Sequence, residues 1–149
     1  MKWLLLVAMV LGLALVGCGG AGEGAAAEPV EFSLSATDIA YDQPQLEVQV
    51  GQPVRVVLDN EGALLHDFSI REIPLDGEAH AEEAHSDETA AHEEQMGHEG
   101  EEPDVHVAAA AGAHGEVTFT PSAAGEYEYY CTVPGHKEAG MAGILSVTE

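Results

Sequence analysis

Short runs of alternating apolar and polar residues dominate the chain from Pro29 onward. Gln45-Leu46-Glu47-Val48-Gln49-Val50 sets Leu46, Val48 and Val50 on one side and polar residues on the other. A period of two places alternate side chains on opposite faces of a strand. Gly51-Gln52 forms a short turn, and Pro53 to Asp59 resumes the alternation. Further runs of the same kind cover Glu31 to Ala36, Leu64 to Arg71, Val105 to Ala109, Glu116 to Thr120, Tyr127 to Thr132 and Gly143 to Thr148. None repeats at the helical spacing. About eight short strands divided by Gly, Pro, Asn and Asp predict an all-β domain, a sandwich or barrel.

Two segments break the pattern. The first is N-terminal: Met1-Lys2 is basic, Trp3 to Val16 is apolar apart from Gly12, and the run closes on Leu15-Val16-Gly17-Cys18. It falls short of the ~20 residues that a spanning helix needs, as the core of a secretory signal does. Its last four residues resemble a bacterial lipobox, which implies cleavage before Cys18 and diacylation of that thiol. Residues 1–17 are thus expected to be a signal peptide, and residues 18–28, rich in Gly and Ala, a flexible leash to an extracytoplasmic membrane surface. The domain proper would span residues 29–149. The second is Asp76 to Asp104, which carries His80, His85, His92 and His98 among twelve Asp and Glu, with no Lys or Arg. Compact domains seldom contain so long a loop unless it is functional or disordered. Like charges four apart, Glu78 and Glu82, oppose a helix there. The expectation is a mobile acidic insertion whose histidines are candidates for auxiliary metal binding.

Charge narrows the partners. Twenty-seven Asp and Glu against four Lys and Arg give a net charge of −23 in 149 residues. Nucleic acid and anionic lipid headgroups would be repelled, so a protein partner reached by electrostatics should be basic. Two cysteines in unlike settings do not make a disulfide framework.

The candidate chemistry lies near the C-terminus, where Cys131, His136 and Met141 stand five residues apart across Pro134-Gly135. A strand ending in Cys, a turn lifting His and a Met at the next strand offer three N and S donors from one loop. A fourth is His66, in Asn60 to Phe68; eight histidines compete for this role, and a strand position beside a turn favours it. Two imidazoles, one thiolate and a weak axial thioether form the blue-copper ligand set. Thiolate and thioether suit Cu(I), and imidazole suits Cu(II). Taken singly, Cys131 and Met141 could be core filler and His136 a loop histidine. Their joint order and spacing on the last hairpin of an all-β chain argue otherwise.

From about Pro29 to Glu149 the chain resembles the cupredoxins of the plastocyanin/azurin superfamily. That resemblance implies an eight-stranded Greek-key β-sandwich holding one type 1 copper. Asn60 to Phe68 resembles the segment supplying the first histidine, and Cys131, His136 and Met141 match the C-terminal ligand loop in the form seen in rusticyanin and auracyanin. It also implies that electrons pass at His136, beside Pro134 and Lys137. One position departs from the family: Asp67 stands where many members carry Asn or Ser directly after the first histidine.

Alternatives fail on what is missing. A binuclear copper site needs a second Cys between Thr132 and Lys137, and copper oxidases place histidine beside the cysteine, where Tyr130 and Thr132 stand. Structural zinc rarely accepts Met. No nucleophile triad or phosphate loop is visible. The expected function is therefore that of a non-enzymatic, monomeric electron carrier with one Cu(I)/Cu(II) ion. Its partner would be a basic redox protein, a c-type cytochrome or a membrane oxidoreductase. The competing expectation is a copper chaperone or scavenger that works through the His- and acid-rich insertion.

Overall fold

The computed structural model describes residues 28–83 and 102–149. Among them are ten strands and no helix: β1 Val30–Thr37, β2 Ala40–Tyr41, β3 Gln45–Gln49, β4 Val54–Asn60, β5 His66–Ile70, β6 His80–Glu83, β7 Val105–Ala109, β8 His114–Phe119, β9 Gly125–Tyr130 and β10 Ala142–Thr148. They form two five-stranded sheets, ordered β2-β1-β4-β8-β6 and β3-β10-β9-β5-β7. Two pairs run parallel, β1 with β4 (Val30 opposite Val54) and β3 with β10 (Leu46 opposite Leu145). The other pairs are antiparallel, and the chain changes sheet at every connection from β2 through to β9. This is the expected sandwich.

The alternation has the predicted result. On β4, Val54, Val56 and Leu58 are fully buried while Arg55, Val57 and Asp59 are half-buried on the outer face. Leu34, Val117 and Phe119 join them from one sheet, and Val48, Phe68, Val107, Tyr129 and Leu145 face them from the other. Each such side chain contributes about 1.5–3 kcal/mol by leaving water. At the end of β3 the expected pattern stops early. The strand ends at Gln49, and Val50 is exposed because the chain turns at Gly51 (φ 74°).

The acidic insertion departs from the expected mobile loop at its start. Leu75 bridges to Pro121, and the Asp76 N–H bonds Thr120 O at 2.9 Å. That contact sets the register for β6, which pairs with β8 from His80 opposite Thr118 to Glu83 opposite Gly115. The free edge of β8 supplies the backbone partners, so a segment without an apolar stripe still becomes a strand. Charged side chains at such an edge discourage pairing with another chain. The far end is fixed too: Asp104 Oδ2 accepts the Ile73 N–H at 2.8 Å, and the Asp104 N–H bonds Arg71 O. His85, His92 and His98 lie outside the described residues, as do the signal segment, Cys18 and all of the leash but Glu28.

Candidate metal centre

One end of the sandwich carries the site, and backbone hydrogen bonds within the last loop build most of it. Cys131 directly follows β9. Its N–H donates to Met141 O at 3.1 Å, and the Met141 N–H donates to His136 O at 3.0 Å. The His136 N–H bonds Val133 O across Pro134-Gly135, and the Gly140 N–H bonds Lys137 O. Gly135 (φ 86°) and Gly140 (φ 103°) take left-handed conformations that other residues adopt at a cost. The equal spacing from Cys to His to Met thus closes a fixed loop in which all three side chains turn inward. Met141 has no solvent exposure, Cys131 is 1% exposed and His136 is 5% exposed.

His66 comes from the opposite direction, as the first residue of β5. Asn60, buried at the end of β4, holds the approach: its side-chain amide donates to Leu64 O at 2.7 Å and Ala109 O at 2.8 Å, and its Oδ1 accepts the Gly62 N–H. A Cβ at Gly62 would lie 3.0 Å from His66 Nε2, so the loop packs closely against the ring. Leu64, expected in the strand, is instead exposed on this loop.

The donors converge. Cys131 Sγ lies 3.4 Å from His136 Nδ1 and 4.0 Å from His66 Nδ1, and the two imidazoles are tilted at 44° with centroids 5.0 Å apart. One donor atom from each of the three residues fits within 4.8 Å. A trigonal first-row ion with ~2.0 Å bonds to nitrogen and ~2.3 Å to sulfur requires N···S separations of about 3.7 Å, which the two observed distances bracket. Among the described residues, no other group of three His, Cys, Asp or Glu converges this way. Burial pushes the Cys131 thiol up to about 11, reinforced by the nearby Asp67 carboxylate. Burial, and next the neighbouring His136, hold His66 below the usual imidazole range. A soft thiol and two imidazoles are therefore ready for a metal that can displace the thiol proton.

Residues 29–148 match the family described as copper binding proteins, plastocyanin/azurin family. The chain belongs to that family. Its match to the family covers all ten strands, and His66, Cys131, His136 and Met141 are arranged as a type 1 copper site. This plastocyanin/azurin-family chain is 33% identical over 129 residues to the copper-resistant cuproprotein CopI of Rubrivivax gelatinosus, covering 87% of this chain and 72% of that protein. It is 31% identical over 145 residues to auracyanin-A of Chloroflexus aurantiacus, covering 89% and 88% respectively. The solved structure of auracyanin A, titled a "blue" copper protein from that bacterium, superposes with a TM-score of 0.58 at 27% identity. It covers 81% of this chain and all of that one.

Within this family member, Asp67, the residue that departs from the family after the first histidine, ties the two ligand segments together. Its carboxylate accepts the Thr132 N–H at 2.9 Å, the Thr132 hydroxyl at 2.8 Å and the Ser69 hydroxyl at 2.9 Å. Its backbone oxygen accepts the Tyr41 hydroxyl, so β2 is attached as well. Asp67 and Ser69 point away from the inter-sheet core yet have no solvent exposure. Buried polar groups of this kind are tolerated only when bonded. Sequence reasoning gave no role to Asn60, Ser69 or His106. The signal for Asn60 was a polar residue ending an apolar strand before a Glu-Gly turn. His80 is exposed on β6 and does not join the metal centre.

Proposed function

We propose that this chain is a mononuclear type 1 copper electron carrier, not an enzyme by itself. The observation that carries the reading is the convergence of three donors, two imidazole Nδ1 atoms and one thiol, in a buried, backbone-locked pocket closed by Met141. Catalytic metal sites keep an open position for substrate, and passing one electron needs none. Copper would supply the one-electron couple, and this chain supplies a donor set that serves both oxidation states without rearrangement. His136 is the ligand on the loop that reaches the surface, and exposed Ile39 and Leu64 flank the same end of the sandwich. That apolar end is the docking face in this reading. The acidic surface steers a basic redox partner, a c-type cytochrome or a membrane oxidoreductase. The protein is a monomer held outside the cytoplasmic membrane by lipid on Cys18.

A second reading has support of its own, since relatives at 33% and 30% identity are named copper-resistant cuproproteins. In that case copper is cargo, held for tolerance or delivery. Repeated reduction and reoxidation in the presence of a Cu(I) chelator separates the two. A carrier regains its full colour with the copper retained. A delivery protein surrenders the metal on reduction and stays colourless.

A further inference from the structure

Behind the metal centre a chain of hydrogen bonds runs outward through the second sheet. Asp67 Oδ2 lies 3.7 Å from Cys131 Sγ, and Asp67 Oδ1 accepts the Ser69 hydroxyl at 2.9 Å. Ser69 Oγ lies 2.8 Å from His106 Nδ1, across the register pair that joins β5 to β7. His106 is half-buried on an edge strand, while Asp67 and Ser69 are fully buried. A hydroxyl has one hydrogen to give. Ser69 gives it to Asp67, so His106 Nδ1 must be the donor in its own bond to Ser69, and the proton-accepting nitrogen of the ring is Nε2.

We propose that His106 is the outer end of a relay, His106 to Ser69 to Asp67, through which the charge on a surface imidazole sets the reduction potential of the copper centre. The inference rests on the copper reading above. Imidazole is the side chain whose charge ordinarily changes between pH 5 and 8. When a solvent proton binds Nε2, the Nδ1–H stays on Ser69 and its bond becomes charge-assisted. Added positive charge disfavours Cu(II) relative to Cu(I), so the electron arriving from the redox partner is held more tightly. Reduction and proton uptake at His106 then favour one another by linkage.

Other charged groups share this surface. Asp104 directly precedes β7, Arg71 directly follows β5, and β9 brings Glu128 and Tyr130. Lys137 Nζ sits 3.9 Å from the Tyr130 ring centroid and bonds Glu128. In the other sheet, β6 carries His80 and Glu82 and β8 carries His114 and Glu116 on that sheet's own outward face. All of these stay constant in a comparison of variants at His106 and Ser69.

Two measurements test the relay. In the metal-free protein, nitrogen NMR should show neutral His106 protonated at Nδ1; the Nε2–H tautomer would overturn the proposal without involving copper. In the copper-loaded protein, the midpoint potential should rise as pH falls from 8 to 5. His106→Asn, whose amide can still bond Ser69, should lose the His106 part of that rise. Ser69→Ala should weaken it although the His106 imidazole is unaltered. A pH profile in His106→Asn that overlays the unaltered protein would also overturn it. Failure to form a coloured copper centre would instead count against the functional reading, and the tautomer would still decide the wiring.

Discussion

The Asp67 carboxylate holds Thr132 at two points, accepting its backbone N–H at 2.9 Å and its hydroxyl at 2.8 Å. Thr132 follows Cys131 and Asp67 follows His66, so this one side chain ties the ligand-bearing ends of the neighbouring strands β5 and β9 to each other. Asp67→Ala would remove the carboxylate that accepts the Thr132 N–H, the Thr132 hydroxyl and the Ser69 hydroxyl. The expected loss is on the order of 3 kcal/mol in the metal-free protein, read by urea unfolding. Asp67→Asn keeps one acceptor oxygen and removes the charge beside the thiol. It should retain most of the stability and raise the reduction potential, because less negative charge favours Cu(II) less. Unchanged stability in Asp67→Ala would show that the ligand loop is fixed by its own backbone bonds alone.

Met141 closes the pocket without any solvent exposure. Met141→Leu conserves volume, so it should cost less than about 1.5 kcal/mol in stability. Copper should still bind through the remaining three donors, with a higher potential because a weak axial donor to Cu(II) is gone. Loss of copper from this variant would mean that the thioether is a primary ligand.

The metal-free protein should have a defined pH dependence. Cys131 is pushed up to about 11 from an ordinary value of 9.0, chiefly by burial. A group whose folded value is raised contributes stability that is complete below its unfolded value and is lost as pH rises through the folded one. Stability should therefore decline between about pH 9 and 11, and Cys131→Ser should remove that part of the decline. Tyr129, pushed up to about 12 by burial and next by Asp42, adds a further fall at higher pH. On the acid side His66, held low by burial, makes stability fall as pH drops below its ordinary 6.5. Copper uptake at pH 7.5 should release close to one proton per ion, counted with an indicator dye in weak buffer, since the thiol is the donor that must deprotonate.

The sandwich was legible because its strands alternate strictly, as in Val54 to Asn60 and Ala142 to Thr148, and because each buries one face. Cys131, His136 and Met141 were legible because one loop carries all three, so sequence spacing is spatial spacing. His66 needed an inference about strand position, 65 residues away from Cys131. The edge strand β6 was not legible, since its pairing comes from the open side of β8 rather than from any apolar stripe of its own. The Ser69 to His106 contact joins residues 37 apart and depends on the register of β5 against β7, which local pattern does not encode.

That edge strand divides the acidic insertion into two testable parts. Replacing residues 84–101 by a short Gly-Ser turn keeps β6 and should leave thermal stability nearly unchanged. Replacing Asp76 to Asp104 removes β6, uncovers the edge of β8 and deletes the Asp104 bond to Ile73. A lower melting temperature and greater aggregation are expected. Copper stoichiometry at pH 7 in the first variant also reports on the insertion histidines. One copper per chain before and after replacement gives His85, His92 and His98 no copper role.

Electrostatic steering has a simple signature. With a net charge of −23, electron exchange with a basic cytochrome should slow steeply as ionic strength rises. A rate independent of salt would leave the acidic surface to solubility alone.

The most direct measurement is the visible spectrum of the purified protein loaded with Cu(II), beside Cys131→Ser prepared identically. Cys131 provides the thiolate within reach of both imidazoles. The expected result is one copper per chain and an intense blue or green colour from thiolate-to-copper charge transfer, absent from Cys131→Ser although that variant remains folded. Full colour in Cys131→Ser, or a colourless Cu(II) protein with copper bound stoichiometrically, would contradict the type 1 assignment.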